Sequence, residues 1–339
     1  MELASKGLGR TAPNPLVGCV IVHKDLIIGE GYHRLFGGPH AEVIAISKVQ
    51  DPSVLADSTL YVNLEPCTHF GKTPPCVDLI SEKKIPLVIT GTADPNPIIA
   101  GKGIQILQEK GIHVISDILK TECIQLNRRF FTFHLKKRPY IILKWAQTKD
   151  NFIDYNRKEN GAGRITWITD EASRRLVHKW RAEEQAILVG SRTVLLDNPQ
   201  LTTRSWPGKS PLRIVIDRKG ILSGDLHILD GSVETLIFTF MPKQDQHNIR
   251  YIKPDKDKDV IHSVLEYLYD INIQSLIVEG GKLMIDEFLH QNRWDEARVF
   301  TGDKDFGEGV PAPFIPSEPV NQIEFSKSIL RVYRNPDSY

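Results

Sequence analysis

Three side chains that commonly bind transition metals lie in two short segments of this sequence. His40 stands two residues before Glu42, and Cys67 and Cys76 each follow a proline. One imidazole and two thiolates fill three of the four tetrahedral positions that Zn²⁺ prefers and leave the fourth for water, as in catalytic rather than structural zinc sites. Any fold of this chain that uses them must therefore bring the two segments together.

Glu42 is the predicted acid–base group of this site. It lies at the predicted start of a helix, where it can take a proton from a metal-activated water and give it to a departing amine. The order H-x-E, then P-C, then a second cysteine is typical of zinc-dependent deaminases. The competing interpretation is that His40 is an ordinary helix-start residue and that the cysteines are buried apolar groups or ligands of a structural zinc ion.

The charge balance argues against several classes of partner. Lys and Arg number 43 against 42 Asp and Glu, and a net charge of +1 would not hold a polyanion through phosphate contacts alone. No run approaches the ~20 apolar residues of a membrane span, and the first residues lack the apolar stretch of a signal peptide. We therefore expect a cytoplasmic protein without nucleic-acid or membrane partners. Four cysteines are too few for a disulfide scaffold, and Cys19 and Cys123 are predicted core residues.

The first part of the chain alternates between strand-like and helical segments. Strands are predicted at 16–22, 26–31, 59–64, 87–90 and 113–115. Helices are predicted at 41–49, 77–83, 103–110 and 118–134. Such alternation favours a mainly parallel sheet covered by helices.

A charged run that ends in Pro139 predicts a linker, so we place one domain at 1–136 and a second at 139–339. A length of 339 residues fits two domains. In the second domain, strands are predicted at 140–144, 186–189, 212–216, 235–240, 275–278 and 298–300. Helices are predicted at 170–183, 260–269 and 282–290, and loops at 154–164 and 304–319.

The sequence also resembles a known family, the bacterial riboflavin-synthesis deaminase/reductases, over nearly its whole length. Eight residues separate Cys67 from Cys76, where most cytidine and nucleic-acid deaminases have two, and this spacer looks like the riboflavin-family loop. The resemblance implies an α/β protein with an N-terminal cytidine-deaminase-like three-layer domain and a C-terminal dihydrofolate-reductase-like domain. It also implies Zn²⁺ and NADPH as cofactors and a homo-oligomeric state. Relatives usually carry a further helical turn before Met1, so the chain is expected to begin inside its first helix.

The resemblance assigns substrate contacts in the deaminase domain. His69 and Lys72 lie in the loop between the two cysteines, which the family uses to hold a ribose phosphate, with Lys72 as a point charge. Asn14 and His33 match family positions that contact the substrate. On local chemistry alone, Lys72 is a solvated loop lysine and the Asn14-Pro15 pair is a turn.

A further substrate segment is Asp94-Pro95-Asn96-Pro97. It follows a predicted strand end, where ligands of open α/β sheets collect. The resemblance implies that Asp94 and Asn96 bind the ribose, whereas their local chemistry is equally typical of a simple turn.

From Tyr140 onward the chain resembles the riboflavin reductase domain, which lacks the G-x-G-x-x-G fingerprint, and that motif is missing here. Two glycines between an apolar strand and a helix allow backbone N–H groups to approach a phosphate, although a tight turn would also explain them. The resemblance implies an NADPH site formed by Ala146, Trp167, Thr193, Asp197, Gly280 and Gly281. It implies a substrate site, with two arginines as forked donors to a phosphate, formed by Arg181, Leu201, Arg204 and Glu279.

Three positions depart from the family pattern. Asn151 stands where a glycine is usual, Asn198 replaces the second member of a common Asp-Asp-Pro, and Ile165 occupies a frequent serine position. Asparagine tolerates left-handed backbone geometry, so the first change is expected to be mild. The hydroxyl missing at Ile165 is expected to cost substrate affinity.

The resemblance implies two consecutive reactions of riboflavin synthesis. The first is hydrolytic deamination of 2,5-diamino-6-ribosylamino-pyrimidinone 5'-phosphate, and the second is hydride transfer from NADPH that converts the ribosyl group to ribityl. Lys144 and Asp150 are candidate proton-handling or orienting groups. Two alternatives stay open at this point: a nucleic-acid base deaminase, which the neutral charge and long spacer oppose, and a deaminase whose C-terminal domain is a non-catalytic binding or assembly module.

Overall fold

The chain folds into two compact units, Met1–Lys137 together with Tyr339, and Arg138–Ser338. The computed structural model describes residues 1–68, 70, 74–97, 99–157 and 166–339. Three positions singled out in the sequence lie outside the described residues, namely His69, Lys72 and Ile165. Among the described residues, no helix combines the length and the apolar character needed to cross a membrane.

A five-stranded sheet forms the centre of the first unit. Its strands are β1 (Gly18–His23), β2 (Leu26–Tyr32), β3 (Thr59–Val62), β4 (Leu87–Thr90) and β5 (His113–Ile115), in the order β2-β1-β3-β4-β5. The pairs β3–β4 and β4–β5 are parallel, whereas β1 is antiparallel to both β2 and β3.

The prediction of a mainly parallel sheet therefore holds only for β3 to β5. The antiparallel pair β1–β2 is a hairpin closed by Lys24 and Asp25, whose φ angles are 46° and 61°. Two successive residues with positive φ form the tight turn whose twist matches that of a hairpin, and such a turn cannot join parallel strands.

Helices pack with this sheet around an apolar core. They are α1 (Glu2–Ser5), α2 (Ala41–Ser47), α3 (Cys76–Glu82), α4 (Lys102–Glu109), α5 (Lys120–Leu126) and α6 (Arg128–Lys136), with a 3-10 helix at Pro52–Asp57. Residues of α2, α3 and α4 share one core cluster with β1, β3 and β4. Cys19 and Cys123 are both buried, as predicted.

The single helix predicted over 118–134 is wrong, because it is divided at Asn127. The Asn127 side chain accepts a hydrogen bond from the Leu16 N–H at 2.7 Å and donates one to the Leu16 carbonyl at 2.9 Å. Asn63 also donates to the Leu16 carbonyl, at 2.9 Å, and accepts from the Gly18 N–H at 2.7 Å. Two buried amides thus fix the segment that leads from Asn14 into β1.

A nine-stranded sheet forms the centre of the second unit. The strands of this unit are β6 (Tyr140–Gln147), β7 (Phe152–Asp154), β8 (Ala186–Gly190), β9 (Leu212–Ile216), β10 (Thr235–Phe238), β11 (Ile249–Ile252), β12 (Ser275–Val278), β13 (Glu296–Gly302), β14 (Val310–Pro311), β15 (Asn321–Glu324) and β16 (Ser328–Arg334). The order in the sheet is β11-β10-β9-β8-β12-β6-β13-β16-β15, and the pairs are parallel from β11 to β13 and antiparallel beyond. The central strands β10 and β12 are buried at every position, as expected for parallel strands covered on both faces.

Two of the four α-helices of the second unit have an aspartate as their N-cap residue. They are α7 (Glu171–Glu183), α8 (Ser191–Asp197), α9 (Val260–Asp270) and α10 (Lys282–His290), with a 3-10 helix at His227–Leu229. Asp170 accepts from the Ser173 N–H at 2.8 Å, and Asp259 accepts from the His262 N–H at 3.1 Å, so both carboxylates satisfy donors of a first turn.

Several elements of the second unit were not predicted from the sequence. They are the helix α8 and the strands β7, β11, β14, β15 and β16. The predicted loop 304–319 contains β14, which pairs with β7 in a separate two-stranded ribbon. The strands β7, β11, β14 and β15 are short, and β15 is exposed at every position. The longer β16 lies inside the sheet, but only two of its seven positions are buried. Their patterns therefore lack the continuous apolar run of a buried strand.

Gly31 allows β2 to lie directly against α2, the helix that carries Glu42. A Cβ at this position would overlap the Ala41 carbonyl oxygen and lie 2.6 Å from the Ala45 nitrogen. We expect Gly31→Ala to lower the free energy of unfolding of the first unit by about 1–3 kcal/mol, as overpacking does, measured by urea denaturation. In the matched control Gly190→Ala, the new Cβ meets only Met284 Cε at 3.6 Å, and little change is expected. Equal stability of the Gly31→Ala variant and the parent would refute the close-packing argument.

Candidate functional site

The three predicted metal ligands meet at one point of the first unit. His40 is the N-cap of α2, Cys67 lies in the segment after β3, and Cys76 is the first residue of α3. His40 Nδ1 lies 3.3 Å from the Sγ of each cysteine, and all three ligand atoms lie within 4.8 Å of one another. Tetrahedral Zn²⁺ separates such ligand atoms by about 3.6–3.8 Å, so this set fits the ion after a small expansion.

One of the two thiols of this site, Cys67, is prepared to lose its proton. Cys67 Sγ accepts from the Cys76 N–H at 3.4 Å. A hydrogen bond from the Cys76 thiol, assisted by His40, lowers the pKa of the Cys67 thiol to about 4. The same bond, together with burial, raises the pKa of Cys76. Cys67 is therefore a thiolate near neutral pH, and the thiolate is the form that binds metal.

Glu42 lies in the first turn of α2, beside these ligands, and only 3% of its surface is exposed. Burial raises the pKa of its carboxyl group, and the negative charge of Cys67 raises it further. A carboxyl group with a raised pKa can accept a proton and return it within one reaction cycle. The arrangement thus provides a metal site with an adjacent acid–base.

His33 and Asn14 form a second layer around His40. Asn14 Nδ2 donates to His33 Nε2 at 3.1 Å, and His33 Nδ1 donates to the Pro39 carbonyl at 3.0 Å. The His33 ring packs edge-on against His40, and burial lowers the pKa of His33. Both ring nitrogens of this buried histidine are therefore engaged within the protein. His33 thus holds the Asn14 amide in a fixed orientation.

The segment that carries Asp94 and Asn96 follows the carboxyl end of β4. Asp94 is buried, and its carboxylate accepts the Asn96 N–H at 2.8 Å. Sequence reasoning missed Glu65, whose buried carboxylate accepts the Asp94 N–H at 3.0 Å. The only signal for Glu65 was a charged residue at the end of an apolar strand, next to a Pro-Cys pair.

A cavity of about 1080 Å³ opens in the second unit at the carboxyl ends of β6, β8, β9 and β12. The predicted cofactor residues all line it, namely Ala146, Trp167, Thr193, Asp197, Gly280 and Gly281. The predicted substrate residues Arg181, Arg204 and Glu279 also line it. Leu201 is not among the described lining residues, and its side chain is buried in the core.

The glycine pair lies at the cavity, beside a second strand-to-helix turn. The Gly281 N–H donates to Thr193 Oγ1 at 2.8 Å. A Cβ on Gly280 would lie 3.2 Å from the Gly190 nitrogen and from Val189 Cα, so its absence lets two strand-to-helix turns lie side by side. The first turns of α8 and α10 therefore both border the cavity, and helix N-termini favour anions.

A buried charge cluster borders the same cavity. Arg181 donates to Glu279 from Nε at 3.1 Å and from Nη2 at 2.8 Å, and its Nη1 donates to the Thr202 carbonyl at 3.2 Å. Lys144 Nζ lies 3.8 Å from Glu279. The forked geometry predicted for Arg181 is present, but the fork binds a carboxylate of the protein instead of facing a phosphate.

The cavity is electropositive near Arg204. Burial and the charges of Arg181 and Arg204 together lower the pKa of His178 to about 4, so this imidazole stays neutral. Burial raises the pKa of Asp197, although Arg157 Nη1 donates to its carboxylate at 2.8 Å. Sequence reasoning did not single out Arg157 or His178.

Of the two candidate proton-handling groups, only Lys144 lines the cavity. The Asp150 carboxylate instead accepts from Thr148 Oγ1 and from the backbone N–H groups of Phe306 and Gly307, which fixes a turn. Asn151, in this turn, has φ +66°, in agreement with the expectation that asparagine tolerates the geometry. Asn198, the C-cap of α8, also has a left-handed backbone.

Comparison with known proteins gives matches in both units. A model of the RibD C-terminal domain matches residues 139–332, and a model of the cytidine and deoxycytidylate deaminase zinc-binding region matches residues 1–92. The riboflavin biosynthesis protein RibD of Aquifex aeolicus is 39% identical over 319 residues, which cover 91% of this chain and 86% of the relative. The chain belongs to the RibD family.

Solved structures of RibD proteins agree with this membership. A diaminohydroxyphosphoribosylaminopyrimidine deaminase/5-amino-6-(5-phosphoribosylamino)uracil reductase from Thermotoga maritima is 40% identical, with a TM-score of 0.89 and coverage of 98% of this chain and 95% of that one. RibD of Acinetobacter baumannii is 30% identical, with a TM-score of 0.86 and the same coverages.

Family membership confirms the predicted fold class and the bifunctional character of the chain. It is a RibD-type enzyme of riboflavin biosynthesis, with a zinc-binding deaminase domain and a reductase domain of the NADPH-dependent type. The alternative of a deaminase with a non-catalytic C-terminal module is not favoured.

The ion pair of Glu279 predicts a pH dependence of stability. Although burial acts to raise it, the charges of Arg181 and Lys144 lower the pKa of Glu279 from 4.5 to about 2. A depressed pKa stabilises the folded unit above pH 4.5, and this contribution, of about 3 kcal/mol, is lost as the pH falls toward 2. Urea unfolding between pH 6 and 3 should show a weaker pH dependence for Glu279→Gln than for the parent.

The control for this measurement is Glu318→Gln, which changes an exposed carboxylate. It should follow the pH dependence of the parent. Identical slopes for Glu279→Gln and Glu318→Gln would show that the ion pair does not couple folding to protonation.

Proposed function

We propose that the first unit hydrolytically deaminates 2,5-diamino-6-ribosylamino-pyrimidinone 5'-phosphate. The observation that carries this proposal is the convergence of His40, Cys67 and Cys76 beside the buried Glu42. The Thermotoga maritima relative, described as a deaminase of a diaminohydroxyphosphoribosylaminopyrimidine, supports the choice of substrate.

Each of the site residues of this unit has its own role in deamination. His40, Cys67 and Cys76 hold zinc, which as a Lewis acid makes a water molecule acidic near neutral pH. Glu42 takes the proton of the attacking water and delivers it to the amine that leaves as ammonia, and its raised pKa suits both transfers. Asn14, oriented by His33, contacts the pyrimidine.

The ribose phosphate is held away from the reacting carbon. Asp94 and Asn96 bind the ribose, and His69 and Lys72 complete the site at the phosphate. Contacts of this kind fix the substrate in a reactive orientation and lower the entropic part of the barrier.

The second unit then reduces the ribosyl group to ribityl. NADPH supplies the hydride. The residues that would hold the cofactor line the cavity, namely Ala146, Trp167, Thr193, Asp197, Gly280 and Gly281. Arg204 binds the substrate phosphate, Leu201 contributes its backbone, and Arg181 holds Glu279 in place. Lys144, whose pKa is lowered by burial, lies beside Glu279 and is placed to give a proton to the opened ribose.

The proposal also concerns the localisation, oligomeric state and partners of the enzyme. We infer a cytoplasmic homo-oligomer that acts on small molecules and has no nucleic-acid or membrane partner. The near-neutral charge supports the absence of a polyanionic partner.

A coupled assay with the Glu42→Gln variant tests the two-site proposal. The parent, loaded with zinc, should release ammonia and oxidise NADPH. Glu42→Gln should bind one zinc ion per chain, lose at least about a hundredfold in deamination, as expected for loss of general acid–base catalysis, and still reduce supplied deaminated intermediate. Ammonia release at the parental rate would refute the role of Glu42.

The phosphate role of Arg204 is tested with the deaminated substrate and its dephosphorylated form. Arg204→Gln should raise KM for the phosphorylated substrate about tenfold, because a charge-assisted contact is lost, with a smaller effect on kcat. The dephosphorylated substrate is the control and should give the same KM with parent and variant. A KM increase of equal size for both substrates would place the phosphate elsewhere.

A further inference from the structure

Glu65 is a buried carboxylate whose hydrogen bonds go to backbone groups of one distant segment. Its side chain is only 4% exposed. Oε2 accepts the N–H groups of Asp94 at 3.0 Å and Gly101 at 2.9 Å. Oε1 accepts the N–H groups of Gly103 at 2.7 Å and Ile104 at 3.2 Å. Four donors from residues 94–104 thus converge on one side chain.

These donors explain how a charge is tolerated at this depth. A buried carboxylate is costly unless hydrogen bonds replace its hydration, and four N–H groups do so here. Two of them belong to the first turn of α4, where the helix dipole favours a negative charge. Among the described residues, no lysine or arginine forms an ion pair with Glu65. Four backbone N–H groups therefore take the place of a cation beside the Glu65 carboxylate.

Glu65 also belongs to the segment that carries a metal ligand. Only Pro66 separates it from Cys67. The Glu65 N–H donates to the Thr92 carbonyl at 2.9 Å, which ties the start of this segment to the residues after β4. A Cβ on Gly103 would overlap the Pro66 carbonyl oxygen, so α4 lies directly against the ligand segment.

We propose that Glu65 is a positioning residue that sets the distance between the metal-ligand segment and the ribose-binding residues Asp94 and Asn96. This inference rests on the proposed deaminase function. The carboxylate fixes the Asp94 N–H on one side, and the Asp94 carboxylate in turn accepts the Asn96 N–H at 2.8 Å. The chain of contacts leads from Cys67 through Glu65 to Asn96 without passing through the reacting atoms.

Glu65→Gln tests this role with little change in side-chain size. The amide NH₂ of glutamine would face two of the four N–H donors, and the charge that holds the others would be lost. We expect KM for the deaminase substrate to rise about tenfold, with kcat changed less than about threefold and one zinc ion still bound per chain. Hydrogen exchange of the 94–104 backbone should become faster.

Two further variants separate positioning from a general loss of stability. Glu109→Gln removes an exposed carboxylate at the other end of α4 and should leave KM and hydrogen exchange at parental values. In an Asn96→Ala background, Glu65→Gln should raise KM by less than about twofold, because residues that act through one contact are not additive.

The outcomes distinguish this inference from the proposed function. If the parent enzyme releases no ammonia, the proposed function fails. If the parent is active and Glu65→Gln keeps its KM, or loses zinc and kcat at constant KM, the positioning role is overturned. If Glu65→Gln does not fold, hydrogen exchange is measured on the parent protein instead. Rapid exchange of the Gly101, Gly103 and Ile104 amides would overturn the positioning role, and strong protection of these amides would support it.

Discussion

The parallel pairing of strands is the constraint on which both sites depend. Parallel neighbours bring their carboxyl ends to one edge of a sheet, so the segments that follow them lie side by side. In the first unit, the segments after β3 and β4 carry Cys67 and Asp94. In the second unit, four parallel strands end at the cavity, and their following residues include Glu279 and the glycine pair. Residues far apart in the chain become neighbours for this reason.

The carboxyl groups of Glu42 and Glu279 show how the surroundings of a side chain decide its chemical role. Glu42 is buried near a thiolate, which raises its pKa and prepares it for proton transfer. Glu279 is largely buried, with 10% of its side chain exposed, but Arg181 and Lys144 lower its pKa and keep it charged. The first environment suits a group that exchanges protons, and the second suits a group that orients others. Glu65 is a third case, since backbone donors and not a cation satisfy its charge.

The sequence predicted the buried elements well and the peripheral ones poorly. The strand at 113–115, a mostly exposed edge strand, has the observed bounds. So do the more buried strands at 87–90, 212–216 and 275–278 and the helix at 282–290. Their apolar runs are set by burial, which a single sequence records. The edge strand β15 was missed because it is exposed at every position, and its neighbour β16 was missed because only two of its seven positions are buried, so neither has a clear apolar pattern. The break at Asn127 was missed because its cause is a hydrogen bond to Leu16, more than a hundred residues away in the chain.

The sequence by itself determined the chemistry of the metal site, because ligand type and the His-x-Glu spacing are local properties that survive any fold that joins the two segments. It also determined the family, through motifs spread along the chain. Only the tertiary structure decided which partner each charged side chain has. Arg181 pairs with Glu279 and not with solvent, Leu201 is buried in the core, and Glu65 binds the backbone of residues 94–104. Such partners follow from the register of strands and the approach of helices, which depend on contacts between residues distant in sequence.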